Sequence, residues 1–414
     1  MKFLKDALAG AGGKATEGRS AVRQALSSLR THLGMEVAYV SEFVGNESVF
    51  REVDAPGLEA VIKPGDQRSL DDVYCRHILA GRLPELIPDT SENALCQTLP
   101  ITRDSHIGAH MSVPITMQDG SVYGMFCCLS FEPNRSLNDR DLQMMRVFAD
   151  MTAQQLGEER EVQQLINVKR ERIERALHAD IMTSVYQPVW NFAQDHAVGF
   201  ECLTRFRSDP YISPDIWFKE AAEVGLGVEL ELAAIELALS CSAGLPDHCY
   251  ISVNASPELI MSGKLTAVVM RHAPRKLIIE LTEHAPVSDY AELLLVLDTL
   301  RRHGALIAID DAGAGYAGLQ HIVQLRPDMI KLDIGLIRAI DTDSARRALV
   351  SALIFFARET GCMIVAEGIE TDAELDVLRR LGVNKGQGYL FSRPVPIKTA
   401  INMVTDADVE RRTG

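Results

Sequence analysis

The chain has 414 residues, of which 47% are hydrophobic and 24% are charged, and its formal net charge is −15. This length suits two or three domains. The negative charge argues against broad binding to nucleic acid or to anionic membranes, because both need a basic surface. The sequence has no apolar run as long as a membrane span, and its N-terminus has no apolar segment of signal-peptide length. We therefore expect a cytoplasmic protein without a membrane span.

Residues 20–157 predict an α+β domain made of a helix, two hairpins and a second helix, and a loose arm precedes it over residues 1–19. Alternating residues on both sides of Gly45-Asn46 predict the first hairpin. The run "HMSVPITMQDGSVYGMFCCLSF", which turns at Asp119-Gly120, predicts the second. Asn138 is predicted to cap the second helix.

The eight cysteines include no C-x-x-C pair, which agrees with a reducing compartment. Cys127 and Cys128 are adjacent in a predicted strand, so we expect them to face opposite sides of its sheet. Cys75 and His77 leave two interpretations open, a ligand to haem or metal and a structural role in the core or at a helix end. We favour the structural role, because no second Cys/His cluster supports a metal.

A charged helix is predicted over residues 158–180, between the two domains. Val162, Ile166 and Ile173 follow the a/d spacing of a short coiled coil. The pattern fits a solvated linker as well as a signalling helix that dimerises, and it does not decide between them.

Residues 181–405 predict a second domain, followed by a short tail over residues 406–414. Eight short strand-like runs alternate there with helical ones, and this alternation indicates an α/β fold of the (β/α)8 TIM-barrel type. The runs are "TSVYQPVWN", "AVGFECLTRF", "CYISVNAS", "KLIIELTE", "LIAIDDAG", "MIKLDIG", "MIVAEGIE" and "GQGYLFSRP".

Seven consecutive strands place a polar or charged side chain near their C-terminal end, on the face opposite their packing residues. These side chains are Glu201, Asn254, Glu280, Asp310, Lys331 with Asp333, Glu367 and Gln387. In a barrel such strand ends surround one mouth, where active sites lie. One lysine cannot pair with so many acids, and burying an unpaired carboxylate is costly. We therefore predict hard divalent cations with oxygen ligands, Mg²⁺ or Mn²⁺.

The stretch "LIAIDDAGAGYAG" allows two interpretations. Gly313, Gly315 and Gly318 match G-x-G-x-x-G, the pattern of a dinucleotide cradle. Asp310 and Asp311, however, would set two negative charges against a pyrophosphate. A pair of metal ions fits these acids better, because two ions about 3.5–4 Å apart form the clamp that is used for phosphoester hydrolysis.

Residues 181–405 resemble the EAL domain, a bacterial phosphodiesterase for cyclic di-GMP. Glu201-Cys202-Leu203 stands at the signature tripeptide, and the runs "SVNAS", "IIELTE", "AIDDAGAGY", "MIKLD", "VAEGIE" and "QGYLFSRP" match the other motifs in order. Residues 20–157 resemble a GAF sensory domain through "IGAHMSVPI" and "GSVYGMFCCLS". The resemblance implies a GAF-regulated, two-metal hydrolysis of cyclic di-GMP to linear 5′-pGpG. It also implies an unknown GAF ligand and a homodimer.

The resemblance assigns roles to the residues that match the EAL motifs. The ligands that it implies for one metal are Glu201, Asn254, Glu280 and Asp310. The ligands that it implies for the second metal are Asp310 and Asp311, with Glu367 nearby. Lys331 is implied to orient the attacking water, with Glu367 and Gln387 beside that water. The residues implied to contact the nucleotide are Arg205, Gln187 and Leu203. Glu283 is implied to anchor the loop after strand 5. For Asp333 we favour contact with the metal ligands rather than with a metal.

Two departures from the family pattern bear on activity. Cys202 replaces the signature Ala and faces the helices, so we expect a mild effect. Ala312 and Ala314 replace the Phe and Thr of the usual D-D-F-G-T-G loop, which puts the rigidity of this loop in doubt. The alternative function is therefore a receptor that binds cyclic di-GMP on the same fold without hydrolysing it. Degenerate receptors of this kind usually lack metal ligands, and this sequence retains all of them.

Overall fold

The structure is a computed structural model. It describes residues 22–272, 276–281, 289–312 and 322–404. The described part of the chain falls into two compact units, which divide between residues 165 and 166. No helix among the described residues is both long enough and apolar enough to cross a membrane.

The first unit is built on a six-stranded antiparallel sheet in the order β3-β2-β1-β6-β5-β4. Its strands are β1 (Val37–Val44), β2 (Glu47–Asp54), β3 (Gln67–Ser69), β4 (Leu86–Ile87), β5 (Ala109–Thr116) and β6 (Val122–Ser130). Both predicted hairpins are present, β1–β2 and β5–β6. Gly45 and Gly120 have positive φ in their turns, a conformation that glycine adopts without strain.

The sheet has an apolar core on each face. The helices of this unit are α1 (22–33), α2 (Tyr74–Leu79), α3 (Ala94–Thr98), α4 (Pro100–Ser105) and the long α5 (Asp139–His178). One core lies between the sheet and helices α1 and α5, and it contains Cys128. The other lies under α2, α3 and α4, and it contains Cys127 and Cys75. The two adjacent cysteines thus face opposite sides, as predicted, and Cys75 is a core residue.

Helix α5 runs without a break from the end of the first predicted domain through the predicted linker. Asn138 caps it, because the Arg140 N–H donates to Asn138 Oδ1 at 3.0 Å. The three residues with a/d spacing do not form one exposed stripe. Val162 is 42% exposed, whereas Ile173 is fully buried in a cluster with Trp217. Packing within the second unit therefore covers Ile173, and the choice between a solvated linker and a dimerising helix stays open.

The second unit is a closed eight-stranded barrel. Its strands are β7 (Met182–Asn191), β8 (His196–Phe206), β9 (Tyr250–Asn254), β10 (Leu277–Leu281), β11 (Leu306–Ala312), β12 (Met329–Leu332), β13 (Met363–Ala366) and β14 (Lys385–Gly386). The predicted barrel is confirmed, with one difference. Strand β7 runs antiparallel to both of its neighbours, β8 and β14. Only four residues join β7 to β8, too few for the crossover that a parallel pair requires.

The helices of the second unit surround the barrel. They are α6 (Pro214–Glu223), α7 (Gly227–Cys241), α8 (Pro257–Met261), α9 (Lys264–His272), α10 (Tyr290–Arg302), α11 (322–325), α12 (Ile334–Ile337), α13 (Ser344–Thr360), α14 (Asp372–Leu381) and α15 (397–404). Outward strand residues such as Ile251 and Val253 pack against them in the main core. Inward residues such as Ile278 and Met329 fill the barrel below its mouth. Strand alternation thus sets which side chains can reach the mouth.

Candidate active site

The polar residues predicted at the strand ends converge at one mouth of the barrel. Asn254 and Glu280 end neighbouring parallel strands and are register partners. Glu201, Glu280, Asp310 and Glu367 form a ring of four carboxylates, called the acid ring below. Lys331 on β12 points into the middle of this ring and is 2% exposed. Convergence follows from topology, because parallel strands bring their carboxyl ends to the same edge.

Lys331 forms ion pairs with the whole acid ring. Its Nζ lies 2.7 Å from Glu367 Oε1, 2.8 Å from Glu280 Oε2, 2.9 Å from Asp310 Oδ1 and 3.3 Å from Glu201 Oε2. Contact with Asp310 lacks hydrogen-bond geometry, so Asp310 Oδ1 has no hydrogen bond among the described residues. One cation cannot neutralise four acids, of which three are buried and Glu367 is half-buried, and the mouth therefore keeps an excess of negative charge.

The side-chain amides of Gln387 and Asn254 donate hydrogen bonds to the acid ring. The Gln387 Nε2 group donates to Glu201 Oε2 at 2.6 Å and to Glu367 Oε1 at 3.0 Å. Asn254 Nδ2 donates to Glu201 Oε1 at 3.4 Å. The amide oxygens of Asn254 and Gln387 are buried and have no hydrogen-bond partner among the described residues. Such orphaned acceptors are rare and indicate a site for a cation or a water.

The electrostatics of the ring follow from burial and from mutual repulsion. Burial alone would lower the pKa of Lys331, but the acid ring outweighs it and raises that pKa well above its ordinary value. Burial raises the pKa of Glu280 to about 8, against the opposing effect of Lys331. Burial likewise raises the pKa of Glu367 well above its usual range. The lysine stays charged, while two of the acids resist ionisation unless another cation joins them.

The donor set fits divalent metal ions. Glu201, Glu280 and Asp310 can bring one oxygen each within 4.8 Å of one another, and so can Asp310, Asp311 and Glu367. Asp310 belongs to both groups. All of these ligands are oxygens, the donors that Mg²⁺ and Mn²⁺ prefer. The amide oxygen of Asn254, which has no hydrogen-bond partner among the described residues, adds to the same donor set.

Metal affinity should rise with pH, because a carboxylate must be ionised to bind a metal. Burial raises the pKa of Glu280 to about 8, so we expect this carboxyl group to release a proton when a metal binds. We expect the affinity for Mn²⁺ to increase up to about ten-fold per pH unit between about pH 6 and pH 8, for one proton released. Calorimetric titration in buffers of different ionisation enthalpy measures both quantities. An affinity that stays flat over this range would contradict the expectation.

Arg205 and Leu203 line a cavity beside the acid ring, of about 330 Å³, which Asn254 also borders. Its wall also includes residues that were not predicted from the sequence, among them Pro214, Phe218 and Glu231. They lie on α6 and α7, where ordinary helix patterning gives no sign of a ligand site. Gln187 is on β7 and is the register partner of Glu201.

Several residues singled out in the sequence have other surroundings. Asp333 caps helix α12, where its Oδ1 accepts from the Gly335 N–H at 2.7 Å, and a supporting role at the metal site stays a prediction. Asp311 has a φ of +53°, a strained value that turns its backbone at the end of β11. Ala312 is buried behind it. Glu283 and Ala314 lie outside the described residues.

Two buried hydroxyls lie below the acid ring on the same face of β9 as Asn254. They belong to Tyr250 and Ser252, and neither has a hydrogen-bond partner among the described residues. The Tyr250 ring fills the space beside Gly199, where a Cβ would come within 2.5 Å of it. Burial, followed by the charge of Glu280, raises the pKa of the Tyr250 phenol. Tyr250 and Ser252 precede Asn254 at the two-residue spacing of a strand, so the sequence could have predicted that they share its inward face.

Comparisons with known proteins identify a family for each of the two units. The model of the EAL domain matches residues 170–394, and the model of the GAF domain matches residues 18–156. MucR of Pseudomonas aeruginosa, a bifunctional diguanylate cyclase and cyclic di-GMP phosphodiesterase, is 33% identical over 58% of this chain and 36% of that protein. The cyclic di-GMP phosphodiesterase PdeL of Escherichia coli K12 is 30% identical over 55% of this chain and 67% of that protein.

A solved structure shows the same similarity. The PaMucR phosphodiesterase in complex with c-di-GMP is 30% identical, with a TM-score of 0.50, over 56% of this chain and 99% of that chain. The curated relatives are mostly longer. The chain spans 31%, 36% and 47% of the length of an uncharacterised protein of Azorhizobium caulinodans, MucR and the probable cyclic di-GMP phosphodiesterase PdeG of Escherichia coli K12.

Proposed function

The chain belongs to the EAL domain family and carries a GAF domain before its barrel, and on this premise we propose that it hydrolyses cyclic di-GMP to linear 5′-pGpG. The observation that carries the proposal is the acid ring around Lys331, with Asp310 shared between two groups of acids. The relatives MucR and PdeL, which are cyclic di-GMP phosphodiesterases, support the same substrate.

The residues that would hold two divalent ions are Glu201, Asn254, Glu280, Asp310, Asp311 and Glu367. Such ions would polarise a phosphoryl oxygen and lower the pKa of a bound water. The charged Lys331 holds the acids at their distances by its ion pairs and orients the attacking water. Gln387 fixes Glu201 and Glu367 through its two N–H donors. Buried donors of this kind are preorganised, so they need no rearrangement during the reaction.

In the reaction, the oxygen of water bonds to phosphorus and the bond from phosphorus to the 3′ oxygen breaks. We assign the proton of the water to Glu367, because its Oε1 lies 2.7 Å from the Nζ of Lys331, the residue proposed to orient that water. The 3′ oxygen takes up a proton from the solvent and becomes a hydroxyl group. Arg205, Leu203 and Gln187 hold the nucleotide during this step. Opening one of the two phosphodiesters yields linear 5′-pGpG.

The metal dependence tests this function. Turnover of cyclic di-GMP by the full chain should vanish with a chelator and return with Mg²⁺ or Mn²⁺. Ca²⁺ should support it poorly, because this ion is larger and holds its ligands in a less strict geometry. Full hydrolysis after exhaustive chelation would refute the two-metal site. Tight binding of cyclic di-GMP without turnover in any metal would favour the alternative, a receptor.

The GAF domain is proposed to regulate this activity in response to a ligand, within a cytoplasmic homodimer. If α5 transmits the response, inserting residues between Glu158 and Leu165 should act through helical phase. Two residues turn the helix faces by about 200°, whereas seven nearly restore them. We expect the two-residue insertion to change the basal rate of hydrolysis by several-fold more than the seven-residue insertion does. Equal rates in both variants would indicate a passive tether.

A further inference from the structure

The first unit contains an apolar cavity of about 90 Å³ between the sheet and the short helices α2 and α4. Aromatic side chains form much of its wall. Tyr39 and Phe50 contribute from the sheet, with their ring centroids 4.6 Å apart. Tyr74 contributes from α2, and its ring centroid lies 4.4 Å from that of His110 on β5. Such a wall gains free energy when it buries apolar ligand surface.

The buried polar atoms of this wall are paired within the protein, apart from one among the described residues. The hydroxyl of Tyr74 shares a hydrogen bond of 2.6 Å with Thr102 Oγ1. His110 Nε2 lies 3.1 Å from Ser112 Oγ. His110 Nδ1, by contrast, has no hydrogen-bond partner, although the side chain is only 1% exposed. An unpaired buried nitrogen is unfavourable, and a ligand that pairs with it removes that disadvantage.

Burial lowers the pKa of His110 to about 3, which favours a neutral ring near neutral pH. A neutral imidazole has one donor nitrogen and one acceptor nitrogen. The Ser112 hydroxyl serves either sense of hydrogen bond, so His110 Nδ1 is able to donate to a ligand or to accept from it. Neither residue brings a charge into the cavity. Arg68, the basic residue at the edge of the wall, is exposed to solvent.

The volume restricts the class of ligand. A dry apolar cavity of about 150 Å³ binds benzene, and pockets for drug-sized ligands begin at about 300 Å³. A cavity of about 90 Å³ is smaller than the benzene-binding one, so it accepts at most one small ring, and only when its walls move apart. A purine nucleotide, with its fused rings, sugar and charged phosphate, does not fit this size or this neutral wall.

We propose that this cavity is the sensory site of the first unit and that its ligand is a small neutral aromatic molecule with one hydrogen-bonding group, of the class of phenol. The ring of the ligand lies against Tyr39 and Tyr74, and its polar group pairs with His110 Nδ1. Val61 and Phe131, which are 72% and 38% exposed, border the entrance. The sensory role rests on the proposed regulation of the phosphodiesterase, whereas the binding itself does not.

Calorimetric titration of the full chain with phenol and with toluene tests the site. We expect phenol to bind at least about ten-fold more tightly than toluene, because only phenol pairs with the buried nitrogen. The variant His110→Leu should abolish this difference and leave toluene binding in place. The matched control, His32→Leu on the exposed face of α1, should behave as the unmutated chain does. Equal affinities of the unmutated chain for phenol and toluene, or an unchanged preference in His110→Leu, would overturn the proposal.

Methyl chemical shifts locate the bound phenol without relying on a variant. We expect the largest changes at Ile62, Val73 and Ile101, which line the cavity. Changes confined to the barrel, no binding of phenol, or displacement of phenol by cyclic GMP would overturn the proposal. Phenol at the concentrations that fill the site should also change the rate of cyclic di-GMP hydrolysis, and binding without any change of rate would overturn the sensory role.

Hydrolysis measured without phenol separates this inference from the proposed function. Turnover of cyclic di-GMP in a chain that does not bind phenol would refute the phenol site alone. Binding of phenol by a chain without turnover in any metal would refute the phosphodiesterase alone.

Discussion

Replacing Asp310 by Asn is expected to reduce cyclic di-GMP turnover by about a thousand-fold or more. Asp310 is the residue shared by the two groups of acids, so its loss weakens both proposed metal positions at once. The metals are expected to provide several kcal/mol of charge stabilisation in the transition state, and about 4 kcal/mol corresponds to three orders of magnitude in rate. Steady-state rates in saturating Mg²⁺ or Mn²⁺ measure the effect.

The control for this prediction is Asp298→Asn on α10, an acid whose side chain is 64% exposed and pairs with Arg301. It makes the same chemical change on the outside of the barrel, and we expect the rate to stay within about two-fold of the unmutated chain, as for most surface substitutions. Metal titration of Asp310→Asn should show weaker binding as well. Unchanged turnover in Asp310→Asn would remove the basis for a shared bridging ligand.

Replacing Lys331 by Met is expected to separate catalysis from binding. Met keeps much of the length of the side chain but removes the charge that contacts the acid ring. Turnover should fall by about a hundred-fold or more, because a residue that orients the attacking water acts mainly in the transition state. Binding of cyclic di-GMP, measured in Ca²⁺ so that turnover stays low, should remain within about ten-fold, since Arg205 and the cavity wall are intact.

The same variant has a second consequence without metal. Removing Lys331 leaves the acid ring with no cation, and losing one partner of a buried ion pair costs about 3–5 kcal/mol of folding free energy. We expect chelated Lys331→Met to unfold at a lower temperature than the chelated unmutated chain, and Mn²⁺ to restore much of the difference. Thermal unfolding with and without Mn²⁺ checks this. A variant that loses nucleotide binding and turnover equally would instead place Lys331 among the substrate contacts.

The strand ends were the most predictable part of the barrel. A period of two residues, together with parallel topology, is enough to send Glu201, Glu280 and Asp310 to one mouth. The contacts of Lys331 could not be predicted from the sequence. The period of a strand shows which face a side chain occupies, but it does not show which layer of the barrel the side chain reaches. The four ion pairs of Lys331 depend on that layer.

Other features escaped prediction for equally local reasons. Helical periodicity in α5 identified apolar residues but not the surface that covers them, and Ile173 packs against Trp217 instead of forming an exposed stripe. Strand β7 is antiparallel because only four residues connect it to β8. The prediction from alternating strand-like and helical runs did not consider the length of this connection. His110 and Tyr74 are 36 positions apart in the sequence, so no short motif could place both in one cavity wall.

Isotope labelling of the product tests the central claim most directly. The unmutated chain is incubated with cyclic di-GMP and Mg²⁺ in water enriched in oxygen-18, and the product is analysed by chromatography and mass spectrometry. Attack of water on phosphorus predicts linear 5′-pGpG with one labelled oxygen in its terminal phosphate, and no product in the presence of a chelator. Unchanged cyclic di-GMP under both Mg²⁺ and Mn²⁺, or a linear product without the label, would contradict the assignment of this barrel as a metal-dependent phosphodiesterase.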